Sequence, residues 1–360
     1  MDLRDAYDVI IVGSGPAGAG AARALTGSGL SVLIAERDEL PRFKMCSGIL
    51  FPSARKFIAE HFGGIPEKVV NSPERVRGNR IHTTLDAPSV DVPFSVFDAE
   101  EGIEEEGLNT SRSELDYWLC SHSDAQLVGG CCFEGFAPEG SDYVVDLQHR
   151  DRHVSVRTRF LIGADGAISP VRMTAFPGFD DGVARIPNYE EFYLAEVDLE
   201  PGWLHIFLDR SITGYFATAF HDEGALQVVT GAHSQEPVRD YFQAFRSHLE
   251  AKHGLVVREK LASHGIGLTD MSARRNYCLG SGDLLLAGEA GGFLRGGEGI
   301  TSALASGKAA GEAILAALAS GRPAIEHFQE LAAEELAICE RVHERLSAAM
   351  GFNVFTRPLR

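Results

Sequence analysis

Basic residues are scarce in this 360-residue chain. Lysine and arginine total 33 against 51 aspartates and glutamates, for a formal net charge of −18. A field of that sign repels phosphate backbones and anionic lipid surfaces, so no nucleic-acid partner is expected. It does not exclude a bound dinucleotide, because backbone dipoles act locally. Part of the charge is one acidic run, Glu100, Glu101, Glu104, Glu105 and Glu106, which reads as a solvated loop or turn. Cysteine occurs only six times. Cys46, Cys120, Cys131, Cys132, Cys278 and Cys339 follow neither zinc nor iron–sulfur spacing, so no metal site is expected, and vicinal Cys131 and Cys132 read as inert core. No apolar run reaches the roughly 18 residues that a membrane span needs, which leaves at most peripheral membrane contact. Asp2, Arg4 and Asp5 interrupt any early apolar stretch, so no signal peptide is expected and the chain reads as reduced and cytoplasmic. The histidines, among them His205, His221, His233 and His264, suggest no nucleophilic triad.

What is present is a hydrophobic content of 44% in short, punctuated runs. Tyr7 to Gly13 (YDVIIVG) suits a buried parallel strand, an alanine-rich helix follows from Ala19 to Thr26, and Ser31 to Ala35 (SVLIA) is a second strand ending at Glu36. This is a βαβ unit, and its sheet requires cover on both faces. Phe160 to Ala164 and Asp283 to Gly288 supply further apolar strands, the latter followed by glycines and a helix from Ile300 to Leu318. The pattern predicts an α/β protein with a discontinuous Rossmann-like domain from 1–72, 108–172 and 276–322. Segments at 73–107 and 173–275 are short, β-rich and cut by Gly, Asp and Pro. They predict a second, mainly antiparallel β domain for substrate, and 323–360 forms a C-terminal helical tail.

The turn Gly13-Ser14-Gly15-Pro16-Ala17-Gly18 has a physical reading. Gly13 makes the tight bend, Gly15 lets a pyrophosphate approach the backbone, and Gly18 lets helix pack on strand. The anion then lies at a helix N-terminus. Glu36 ends the next strand, where a carboxylate accepts hydrogen bonds from ribose hydroxyls, with Arg37 beside it. The turn alone leaves NAD and FAD both open.

Three further segments decide between them by resemblance. Asp165 and Gly166, followed by Ser169 and Arg172, resemble the "GADG…S.VR" signature of FAD-dependent hydroxylases and reductases. Leu286 to Gly292, continuing through Gly297 and Gly299 to Ile300, resembles their "GDAA…G.GI" segment, with Glu289 in place of the usual Asp. Arg112 to Leu119 matches "R..LD..L". In that family the acidic residue bonds the ribityl chain, the Arg lies beside flavin and pyrophosphate, and the helix after Gly299 points at the flavin ring. The loop Lys44-Met45-Cys46-Ser47-Gly48 resembles the "K.CGG" loop of the geranylgeranyl reductase family, although the family's aromatic "Y.W.FP" segment corresponds only to Gly214–Phe220, without the Trp and Pro.

The resemblance implies FAD, with Cys46 and Ser47 beside it, and NAD(P)H or a ferredoxin as electron donor. It also implies reduction of carbon–carbon double bonds in an isoprenoid or other apolar small molecule by hydride from flavin N5, with Cys46 or Tyr215 as candidate proton donors. The alternative is a flavin-dependent monooxygenase or halogenase acting on an aromatic or polyketide substrate. A third reading, an electron-transfer module with no small-molecule reaction, lacks the four-cysteine cluster that such relatives carry.

Overall fold

Two sheets of different character divide the chain. The structure, a computed structural model, describes residues 3–94, 106–222, 224–233 and 235–350. Glu100, Glu101, Glu104 and Glu105 of the acidic run, and the tail beyond 350, lie outside the described residues.

The first sheet is built on β1 (Ala6–Val12) and β2 (Val32–Ala35), joined by α1 (Pro16–Leu25). Every residue of β2 is buried, as a strand covered on both faces requires. β11 (Arg152–Gly163) and β18 (Leu284–Leu286) continue the sheet, giving the order β17-β18-β11-β1-β2-β8 with β8 (Gln126–Val128) and β17 (Gly280–Ser281) at its edges. The β1, β2, β8, β11 and β18 pairings are parallel. β9 (Cys131–Glu139) and β10 (Asp142–His149) form an antiparallel hairpin on the first half of β11.

One face of this sheet is covered by α1, α3 (Arg112–Cys120), α6 (Ile300–Ser320) and α7 (Ala324–Met350), which share one apolar core with β1 and β2. α1 and α6 cross at backbone contact. A methyl added at Gly20 would strike the Leu304 carbonyl, and one at Gly311 would strike the Ala21 carbonyl. Small residues are what let the two helices approach so closely.

The second sheet runs β16-β12-β15-β14-β13-β5-β6. Its strands are β5 (Gly78–His82), β6 (Val90–Pro93), β12 (Arg185–Glu196), β13 (Trp203–Phe207), β14 (Ala217–Asp222), β15 (Ala225–Gly231) and β16 (Val256–Thr269). All neighbours are antiparallel except β13 and β5, which run parallel. α5 (Val238–Lys252) covers one face through Phe242, Phe245 and Leu249. The opposite face meets other segments of the chain in two apolar patches. Phe220 and Leu204 pack with Ile49, Val76 and Phe94, next to the three-stranded sheet of β3 (Ile49–Leu50), β7 (Gly107–Thr110) and β4 (Val70–Val76). Ile186 and Tyr215 pack with Leu294. Two short helices, α2 (Pro52–His61) and α4 (Pro170–Ala175), complete the chain. No described helix is long and apolar enough to cross a membrane.

Candidate functional site

The glycine turn joins β1 to α1. Gly13 has φ +107°, and a side chain there would collide with the Ala164 carbonyl; one at Gly18 would collide with the Gly13 carbonyl. Gly15 is different, since a Cβ there would meet only Nη2 of Arg42, at 3.6 Å. The turn is thus open at the glycine assigned to pyrophosphate and flanked by a guanidinium. α1 begins with Pro16 and carries no side-chain cap, so amides at its start are left for an outside acceptor. Ala17 is buried within the first turn.

Glu36 follows β2, as its place in the sequence implied. Its carboxylate accepts bonds from Ser14 N (3.0 Å) and Oγ (2.6 Å), Asp38 N (3.1 Å) and Arg42 Nε (2.9 Å). Burial works against ionisation, but Arg42 and the Ser14 and Asp38 bonds hold the carboxyl below its ordinary range. Arg37 turns to solvent and pairs with Asp38 at 3.4 Å.

Arg42 begins a chain of buried charge that sequence reading missed. Its Nη2 donates to Asp116 at 3.1 Å, and Arg112 donates to the same carboxylate through Nε (3.2 Å) and Nη2 (2.9 Å). Arg112 also lies near Cys46, whose Sγ accepts from Gly48 N at 3.5 Å. Cys46 and Ser47 are half-buried in this loop. Asp116 lies one turn after Arg112 within "R..LD..L", and that spacing was its only signal.

Asp165 spends both carboxylate oxygens on its own turn, accepting from Ser169 Oγ at 2.5 Å and Val171 N at 2.9 Å; Gly166 beside it has φ +83°. Burial pushes the Asp165 carboxyl up to about 6. Arg172 of the same signature is fully buried and bonds Asp180, Ala167 O and Ala290 O, tying α4 to the loop after β18.

Glu289, on that loop, has an Oε1 that is buried without a hydrogen-bond partner. Burial raises its pKa, against Lys44 and the Thr269 amide. Gly297 is exposed with open space around it. At the start of α6, Glu298 Oε1 already accepts the Thr301 amide at 2.8 Å, so Gly299 and Ile300 open a helix whose N-terminus is partly capped by a carboxylate. Tyr215 is buried against Ile186 and Leu294, and burial raises its phenol well above the ordinary value.

Between the two apolar patches of the second sheet lies a polar stretch that the sequence did not reveal. Phe43, in the loop after Arg42, stacks on His264 (centroids 4.1 Å apart) and meets Phe192 edge-on. Glu190, adjacent to His264 in the β12–β16 register, is 1% exposed. Its Oε2 accepts from Gln227 Nε2 at 2.7 Å, and its Oε1 has no partner; neither has Gln227 Oε1. Burial raises the Glu190 carboxyl to about 8, against the nearby Lys44. Lys44 is itself pulled down by burial and by Arg112 and Arg42, with Glu289 and Cys46 opposing. Lys44 therefore lies in the field of both Glu289 and Glu190. A groove of about 450 Å³ beside α2 is lined by Arg55, Lys56, Ile65, Val70 and Leu108 and includes none of these residues. Among the described residues no cluster suits a metal ion.

The Glu190 pKa has a consequence for stability. The folded chain keeps this proton up to about pH 8 while the unfolded chain releases it near 4.5, so the folded state binds the extra proton across that window. Stability attributable to this group then falls as pH rises from 4.5 to 8 and levels off above. The variant Glu190→Gln is expected to gain on wild type through that window, by a few kcal/mol at most. Thermal unfolding at a series of pH values checks this; parallel curves would remove the assignment.

The residues fit a flavin dinucleotide. Gly15 is open, the start of α1 is uncapped and Oε1 of Glu289 is buried without a partner, as a diphosphate and a ribityl chain would require.

No protein-family model matches the chain. Protein CbrA of Escherichia coli K12 is 24% identical over 312 residues, covering 83% of this chain and 82% of that protein. Among solved structures, a geranylgeranyl bacteriochlorophyll reductase-like protein from Thermoplasma acidophilum superposes with a TM-score of 0.74 at 20% identity, covering 94% of this chain and 88% of that one. The flavin-dependent halogenase CmlS gives 0.72 at 18% identity (98% and 66%). Aklavinone-11 hydroxylase, solved with FAD and aklavinone, gives 0.69 at 17% (100% and 72%). The chain has the fold that these three proteins share.

Proposed function

We propose that this protein is an FAD-dependent oxidoreductase that reduces carbon–carbon double bonds of an isoprenoid or other apolar small molecule. The observation that carries the flavin is the unpaired, buried Oε1 of Glu289, on the loop packed against Ala17 of the glycine turn and near Lys44 of the Arg42–Gly48 loop. FAD, when bound, supplies hydride at N5 of its reduced ring. Gly15, the start of α1 and Arg42 would hold the diphosphate, Glu36 the adenosine ribose, and Glu289 the ribityl chain. Phe43, Phe192, Tyr215 and Leu294 provide apolar walls where the second sheet meets the loops. Tyr215, with its phenol raised by burial, keeps its proton at neutral pH, and Cys46 lies near Arg112. The likeness to the Thermoplasma reductase-like protein supports this reading. NAD(P)H or a ferredoxin is the proposed reductant.

Monooxygenation or halogenation of an aromatic or polyketide substrate is the second reading, favoured by the polar Glu190–Gln227 pair and by the likeness to CmlS and aklavinone-11 hydroxylase. Stopped-flow absorbance of the anaerobically reduced holoprotein separates the two. Rapid reoxidation by a geranylgeranyl lipid with slow reaction toward oxygen is expected. Fast reaction with oxygen and none with the lipid would establish the second reading instead.

A further inference from the structure

The Glu190–Gln227 pair is out of place in a wall for a purely apolar molecule. Both residues are 1% exposed, they lie on adjacent strands, and each retains an oxygen with no partner. Turning the Gln227 amide over does not cure this, since a carboxyl and an amide joined by one bond always leave one polar atom on each unpaired. Buried polar atoms in native proteins are nearly always matched, so an unmatched pair beside the proposed substrate site calls for a group on the ligand. The pair also sits on the strand face that meets the Phe43 and Lys44 loop, between the two apolar patches.

We propose that Glu190 and Gln227 anchor a hydroxyl group on the substrate, so that the substrate is an alcohol or phenol with an otherwise apolar body. A hydroxyl both donates and accepts, and so satisfies the two unpaired atoms together; a hydrocarbon satisfies neither. Phe43 and Phe192, on the same face as Glu190, accommodate the apolar body. Burial keeps Glu190 protonated at neutral pH, which makes it a neutral donor suited to an uncharged oxygen rather than a partner for a cation. The assignment rests on the proposed placement of substrate between the second sheet and the Arg42–Gly48 loop.

The test is binding to the FAD-loaded protein, read from the shift of the flavin absorption bands in one detergent. The probes are geranylgeraniol, the same chain with hydrogen in place of the hydroxyl, phenol and toluene. The proteins are wild type and the double variant Glu190→Leu/Gln227→Leu, in which both partners become apolar and neither is left stranded. The flavin spectrum without ligand reports that the variant is folded.

Geranylgeraniol is expected to bind wild type about tenfold or more tighter than its hydrocarbon, and the double variant to lose that preference. If the two chains fail to bind but phenol shows the same preference over toluene in wild type alone, the anchor stands and the isoprenoid reading falls. Equal binding within each pair, a preference that persists in the double variant, or no binding by any probe overturns the anchor. Equal binding of the two chains overturns it while leaving the isoprenoid reading intact.

Discussion

Gly15→Val is expected to purify folded and colourless. The Cβ of residue 15 meets only the end of the Arg42 side chain, so the apoprotein should unfold within about 1 kcal/mol of wild type. The same side chain projects toward the start of α1, where the diphosphate is to dock, and FAD affinity should fall at least about a hundredfold, roughly 2.7 kcal/mol. Gly18→Val is the contrasting variant. Its side chain is driven into the Gly13 carbonyl, a backbone atom that cannot move aside, so the loss there is of folding itself. Flavin content and a denaturation curve on both variants separate the two glycines. A yellow Gly15→Val protein with undiminished FAD affinity would put the diphosphate elsewhere.

Asp116→Ala should produce the largest loss of stability among side-chain truncations at the site. Asp116 is buried and accepts from two buried arginines, Arg42 and Arg112. Arg112 cannot shed its charge when Asp116 is removed, because a guanidinium holds its proton far above neutral pH. Removing one partner of a buried ion pair costs about 3–5 kcal/mol, because the remaining charge stays desolvated. The freed guanidiniums lie beside the glycine turn, where a diphosphate would neutralise them. Saturating FAD should therefore restore more stability to Asp116→Ala than to wild type. Urea denaturation with and without FAD reads both effects; a midpoint unchanged from wild type would mean that Asp116 bears no such load.

Legibility in the sequence followed locality. β1, the glycine turn, α1 and β2 are contiguous, and the signals for strand, tight turn and helix sit within one stretch of chain. α6 and α7 declared themselves by length and composition. The first half of β11 and the β9–β10 hairpin did not. β11 begins with exposed and buried residues in alternation and turns fully buried only toward Gly163, so the apolar run exposed just its end. The site divides in the same way. Gly13, Gly15 and Glu36 belong to one local motif, whereas Arg42 and Lys44, Asp116, Glu190 and Gln227 come from four segments that only tertiary structure unites. Glu190 and Glu191 look alike in an acidic chain. The fold sends Glu191 to Tyr189, Tyr193 and Lys260 and Glu190 to the opposite face, a distinction set by strand register and invisible to composition.

The backbone-level contact of α1 with α6 bears on how this molecule is made. β1 also waits for its neighbour β11, and β11 for β18, both far along the chain. During synthesis the opening strand and helix leave the ribosome with their apolar faces uncovered, and they stay so until α6 has emerged. The segments that form the second sheet are translated in that interval. Nascent chains halted before α6 should thus depend on chaperones, and flavin capture becomes a late event in biogenesis.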